Sequence, residues 1–326
     1  MRYPLAPLFL AFVVLSSGCI VIPIGDLLRG PELTEQVLVE GAGFFSQEKI
    51  AIVDVDGVIS GEESSSLLLP RENSVAEIKA KLSLLRRDPE VKAVVLRISS
   101  PGGEVTACDV IHHELQRFKK QTGIPVVASI GDQGASGGYY IAMAADVILA
   151  SPTGIVGSIG VLLQHLDVSG LLGKVGVSFS PIKSADKKDL NSPFRPMTND
   201  ERAVLQRLVD DMYNRFLDVI VEGRPGLTRD EILKLADGRV VSGVEAVKLK
   251  LVDQTGYLAD AIDEAVRRAG IESPTIVRYT RILKRGANIY SESETPNPGA
   301  TEFQLGLKVP WVGSGPKLLY LWQPDL

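Results

Sequence analysis

Two cysteines, Cys19 and Cys108, are too few for a disulfide-stapled scaffold or a multi-cysteine zinc site. Three histidines, His112, His113 and His165, leave little material for a metal centre. There is no basic excess either. The 35 Lys and Arg stand against 40 Asp and Glu, a net charge of -5, which argues against a dedicated nucleic-acid binder. Aromatic residues are 6% of the chain, too few for extensive base- or sugar-stacking platforms. Core-forming residues are present in ordinary proportion. With 45% hydrophobic residues in 326, the chain can bury a core as one large domain or two small ones, and global disorder is excluded. Any hydrolytic chemistry is therefore expected to run without a metal, and no nucleotide or organic cofactor is implied.

The N-terminus reads as a targeting segment. Arg2 supplies a positive charge, Leu5 to Leu15 is an apolar run, and Ser16, Ser17 and Gly18 precede Cys19. This is the layout of a secretory signal peptide over residues 1–18, too short for a membrane span by itself. A cysteine after small residues resembles the bacterial lipobox, in which that cysteine is lipidated, although Ser16 stands where the motif usually has Leu. Ile20, Val21, Ile22 and Ile24 prolong the apolar stretch, so an uncleaved anchor is a second reading and plain secretion a third. All three place the body outside the cytoplasm and near a membrane. Residues 19–48 lack sustained periodicity and read as a membrane-proximal tether.

From Lys49 the pattern alternates strand and helix. Ile50 to Ile59 is a nearly continuous β-branched run, as expected of a strand buried on both faces. Ser74 with Glu77 has the spacing of a capping box before Val75, Ile78, Leu82 and Leu85. Val91 to Ile98 reads as a strand, Val105 to Lys120 as a helix, Pro125 to Ile130 as a strand, Ser136 to Ala145 as a short helix and Val147 to Ala150 as a strand. Such alternation favours right-handed βαβ units and a largely parallel sheet. After about residue 197 the character turns helical. Thr198/Glu201 and Thr228/Glu231 make two further capping boxes, the first opening a stripe through Leu205, Leu208, Val209, Met212, Phe216, Val219 and Ile220. The expected organisation is one domain over 49–283, α/β to about residue 197 and helical after it, then a Gly-, Pro- and Ser-rich segment over 284–326 ending in a packing strand at Leu318 to Trp322.

Three glycine-bearing turns follow strands. Ser99-Ser100-Pro101-Gly102-Gly103 suits backbone N–H groups aimed at an oxyanion, or is an ordinary strand-to-helix turn. Gly134-Ala135-Ser136-Gly137-Gly138 sets a serine at a helix N-terminus, where neighbouring N–H groups favour a developing oxyanion. The plain alternative, an N-cap serine, leaves the small flanking residues unexplained. Gly154 to Gly160 holds Ser158. A nucleophilic serine needs a base, and no motif frames the histidines. Lys183, Lys187 and Lys188 are the lysine candidates, and spacing alone selects none of them.

Taken together, Ser99-Ser100-Pro101-Gly102-Gly103, Gly134 to Tyr140 with Ala144-Ala145-Asp146, Gly157-Ser158-Ile159-Gly160-Val161, Ile182-Lys183-Ser184, Lys188-Asp189, Gly238-Arg239-Val240 and Leu251-Val252-Asp253 resemble the bacterial signal peptide peptidase A family. The resemblance implies an α/β Clp-protease/crotonase-like fold of repeated ββα and βαβ units with a helical C-terminal extension. It implies a serine endopeptidase with a Ser-Lys dyad, acting on hydrophobic peptides such as remnant signal peptides. On this resemblance Ser136 matches the nucleophile, Lys188 the general base and Ser158 the serine that orients the lysine. The N–H groups around Gly102, Gly103 and Gly137 match the oxyanion hole, while Cys19 stays the lipidation site expected from the lipobox-like pattern alone. Short members form a homo-oligomeric ring or dome in which the dyad is completed across a subunit boundary. Lys187, adjacent to Lys188, would exchange with it on a one-residue slip. A lysine base working near neutrality must lose about three units from its ordinary value of about 10.4, which dry surroundings can supply. Two other classes compete: a crotonase-like acyl-thioester enzyme, and an inactive membrane scaffold.

Overall fold

A computed structural model describes residues 32–41, 48–62, 73–281, 288–291 and 318–322. The chain divides into Met1–Glu32 and Leu33–Leu326, and the architecture below is that of the second unit. The signal segment, Cys19 and most of residues 284–317 lie outside the described residues.

β1 is Thr34–Val39. The apolar runs that follow become parallel strands, β2 Lys49–Ile59, β3 Val91–Glu104, β4 Val126–Ala135 and β5 Val147–Ala150, side by side in sequence order. Helices α1 (Ser74–Leu85), α2 (Val105–Thr122) and α3 (Gly137–Ala142) make the crossovers that parallel neighbours require. Stretches such as Ala93–Leu96 and Val147–Ala150 are apolar at every position because both faces are covered. Val53, Val55, Leu96, Ile98, Ala128 and Ile130 pack toward the crossover helices. Ile50, Ile52, Val95 and Val127 pack instead against α8 (Leu258–Ala269), whose buried Leu258, Ala261, Ile262 and Ala265 repeat at i, i+3, i+4 and i+7.

Three local expectations are corrected. The first helix is capped by Asn73, whose side chain accepts from Ala76 N–H at 2.7 Å; Ser74 turns its hydroxyl to Ser60 N–H instead. Within the stretch read as a tether, Thr34–Val39 forms β1, antiparallel to β10 (Thr275–Thr280), a strand the pattern reading passed over and one that runs parallel to β2. The glycine motif at 99–103 is the bent end of β3 itself. By contrast, both boxes at Thr198/Glu201 and Thr228/Glu231 are present, capping α5 (Asn199–Gly223) and α6 (Arg229–Leu233).

The sheet forks at the C-terminal ends of β3 and β4. The first half of β4 pairs with β5, while Gln133–Ala135 pairs with β6 (Ile155–Gly157), itself antiparallel to β8 (Val240–Ser242). The end of β3, Gly102–Glu104, pairs with β11 (Leu318–Leu321), which also pairs with β7 (Leu162–Leu163). α7 (Gly243–Lys248) and β9 (Gln254–Thr255) complete the far edge. Between β7 and α5 runs an arm carrying α4 (Ser169–Lys174) and a 3-10 turn (Asp186–Asp189), exposed without a break over 173–188. Among the described residues no helix is long and apolar enough to cross a membrane.

Candidate active site

β4 ends at Ala135 and α3 begins at Gly137, so Ser136 alone makes the strand-to-helix turn. Its backbone lies at φ 50°, ψ -113°, a conformation that costs a non-glycine residue about 1–3 kcal/mol. Two bonds fix it there: Ser136 N–H donates to Gly157 C=O at 2.7 Å, and its C=O accepts from Tyr140 N–H at 2.9 Å. The hydroxyl makes no capping bond, so capping does not explain this serine. A strained serine between strand and helix, with Gly134 and Gly138 two residues to either side, has the geometry of a nucleophile elbow.

Ser158 stands beside it. Ala135 pairs with Gly157 across β4 and β6, so the next residue on each strand is a serine. Adjacent strands lie about 4.8 Å apart. Ser158 also has a positive φ, 51°, and is held by its N–H donating to Arg239 C=O at 2.7 Å. Both serines are buried, Ser136 to 1% and Ser158 to 7% exposure. The fork in the sheet is what brings them together.

The glycine backbones close the third side. A Cβ on Gly102, which has φ 102°, would lie 1.9 Å from Tyr320 C=O and 2.6 Å from Gly137 N. One on Gly137 would lie 2.4 Å from Cys108 Sγ and 3.1 Å from Gly103 N. Only glycine permits this approach. As the first residue of α3, Gly137 has an N–H the helix does not use. Cys108 is a packing residue here: it is a free, buried thiol, and burial pushes its pKa up, keeping it protonated.

The lysines lie elsewhere in the chain. Asp189 takes Lys183 at 2.6 Å and Arg195 at 2.8 Å; Arg195, then Lys183, hold its carboxyl well below the usual range. Lys187 pairs with Asp200 at 2.5 Å. Lys188 is exposed, and among the described residues its ammonium has no partner and no hydrogen bond to Ser136. The structure thus assembles Ser136, Ser158, Gly102, Gly103 and Gly137, and leaves Lys188 outside that group.

No histidine bonds to either serine among the described residues. His165 Nδ1 meets Asn191 Oδ1 at 2.8 Å. His112 packs edge-on against Tyr140, and burial, followed by the charge of Arg215, pushes its pKa down to about 4. The unfolded chain therefore takes up this proton first as pH falls, at its ordinary value of about 6.5. Stability should drop by about 3 kcal/mol between pH 6.5 and 4 and then level off for this group. Urea unfolding across that window, with His112→Gln showing a flatter slope, checks it. No cluster of three or more His, Cys, Asp or Glu able to hold a metal exists among the described residues.

Residues 118–272 match the family described as Peptidase family S49, and residues 62–153 match that described as Clp protease. A protein of Enterococcus faecium named "Putative signal peptide peptidase SppA" is 36% identical over 76% of this chain and 71% of that protein. The chain belongs to peptidase family S49. The S49 peptidase is also 34% identical to Protease 4 of Haemophilus influenzae, over 71% of its own length but 36% of that protein's. With "Serine protease SPPA, chloroplastic" of Arabidopsis thaliana it shares 32% over 72% of this chain and 35% of that one. It is a serine peptidase of the SppA, protease 4 and SohB kind, on an α/β fold of the Clp-protease and crotonase type. Family membership removes the acyl-thioester alternative.

Proposed function

We propose that this S49 peptidase is a membrane-tethered endopeptidase that cuts apolar peptides, such as signal-peptide remnants, with a Ser-Lys dyad shared between copies. The observation that carries the reading is Ser136: a buried serine in a strained elbow, its hydroxyl spared from capping, beside the glycine backbones. In this scheme the Lys188 amine of a neighbouring copy takes the Ser136 Oγ proton as Oγ attacks the scissile carbonyl carbon. N–H groups of Gly103 and Gly137 bind the resulting oxyanion, the Gly102 N–H being committed to the Ser100 hydroxyl at 3.1 Å; each such donor is worth about a hundredfold or more in rate. The lysine then gives its proton to the leaving amine, and water releases the acyl group from Ser136 by the same route. Ser158 holds the incoming amine in line.

Two features support the particulars. Lys187 is engaged by Asp200, which leaves Lys188 as the lysine of that turn available to a neighbour. The edge of β3 at Gly102–Glu104 accepts an extended apolar strand, since the chain's own Leu318–Leu321 lies antiparallel along it with Trp322 N–H on Pro101 C=O at 2.8 Å. An apolar substrate would use the same kind of main-chain pairing. Export and lipidation at Cys19 follow from the pattern of residues 1–19.

The test is a panel of full-length variants assayed on an apolar fluorogenic peptide. Ser136→Ala should lose at least about a thousandfold in kcat/KM, and Lys187→Ala should stay within about threefold of wild type. The mass of the purified protein should begin at an acylated Cys19. An active Ser136→Ala would end the dyad scheme, and an unmodified N-terminus would end the lipoprotein part of it.

A further inference from the structure

Resting on the oxyanion reading above, we infer that Ser100 is the positioning residue of the hole: its hydroxyl sets the Pro101–Gly102–Gly103 backbone that faces Gly137. The need for such a group arises in the strand register. Asp56 pairs with Ser99 and Val58 with Gly102, so one residue of β2, Gly57, stands against two of β3. On the other side, pairing with β4 also shifts between Ile98 and Ser100. Ladder bonds are interrupted on both edges at the same place, inside the protein, where polar backbone groups must still be satisfied.

Ser100 meets that demand with one side chain. Its hydroxyl donates to Gly57 C=O at 2.6 Å and accepts from Gly102 N–H at 3.1 Å. A hydroxyl is among the few small groups that can do both. Ser100 is fully buried, and a Cβ on Gly138 would lie 2.8 Å from its carbonyl oxygen. The residue therefore braces three pieces at once: β2 at Gly57, opposite the bulge of β3, the Gly102 turn with its φ of 102°, and the first turn of α3 behind the nucleophile. None of these contacts reaches the expected position of a substrate, so the effect of Ser100 on the reaction passes through the orientation of the glycine N–H groups.

The readout is a split between ground state and tetrahedral state. In full-length, detergent-solubilised protein, Ser100→Ala should lower kcat roughly 10- to 100-fold with KM within about threefold. Affinity for a peptide boronate, which forms a tetrahedral anion on the nucleophile, should fall by the same factor. Affinity for the same peptide with a reduced scissile amide should hold within about twofold. Ser100→Thr, which keeps the hydroxyl, should recover most of kcat, and Ser129→Ala, another buried serine of the sheet, should leave kcat and boronate affinity unchanged. Equal losses for the boronate and the reduced peptide, or an unchanged kcat in Ser100→Ala while Ser136→Ala is inactive, would overturn the inference. An active Ser136→Ala would instead overturn the reading beneath it.

Discussion

Mixing Ser136→Ala protein with Lys188→Ala protein should restore peptide cleavage that neither variant has alone. The expectation comes from the division of the site. Ser136, Ser158 and the three glycines are brought together by the fork of the sheet, whereas Lys188 stands on the exposed arm with no partner among the described residues. If the base comes from a neighbour, each variant by itself should be depressed by about a thousandfold or more. In randomly mixed assemblies half the copies bring an intact serine and half the neighbours an intact lysine, so about a quarter of sites regain both. The recovery would require disassembly and reassembly of the mixture, and a sample mixed without that step serves as its control. Steady-state rates on the apolar peptide report the result. No recovery after verified subunit exchange would place the base within the same chain as its serine.

The sheet was legible because burial on both faces leaves a plain signature. Val91 to Ile98 and Val147 to Ala150 are apolar at every buried step, and the strands lie where those runs lie. Capping boxes carried the helical part, since a Thr and a Glu three apart satisfy each other's backbone wherever the chain turns into a helix. Asn73 was missed for Ser74 because both residues can cap and the register between them is set by tertiary contact with Ser60. β1 and β10 escaped because short strands with mixed polarity, here including buried Gln36 and Arg278, resemble linker sequence until each finds the other. At the site, the serines and glycines could be quoted from the sequence, but their convergence depends on the bends of β3 and β4. The backbone of Ser136, at φ 50° and ψ -113°, is a property with no direct letter in the sequence. Ser100 was hidden for the same reason: a serine in a turn motif shows its bracing role only once Gly57 and Gly102 flank it.

Ile182→Asp should abolish both assembly and activity while leaving the protomer folded. Ile182 is fully exposed, and Leu171, Val175, Val177 and Phe179 of the same arm are each about half exposed or more. Apolar surface of this kind gains about 25 cal/mol for every Å² it buries against a partner, and such patches on soluble surfaces mark interaction sites. The arm also carries Lys188, six residues beyond Ile182, so in the shared-dyad proposal the surface that would join copies and the amine that would complete the neighbour's site travel together. A carboxylate placed in that contact would have to be desolvated without a counter-charge, which opposes association strongly. Within the protomer Ile182 contributes nothing to the core, so the urea midpoint of the separated subunits should stay near that of wild type at equal dilution. Sedimentation would show the smaller species, and its rate per subunit should fall to the level of Lys188→Ala even though every serine and glycine of the site is intact. A monomeric Ile182→Asp protein that cleaves at the wild-type rate would show that dispersing the copies costs nothing, and the shared-dyad scheme would then have no role for the arm.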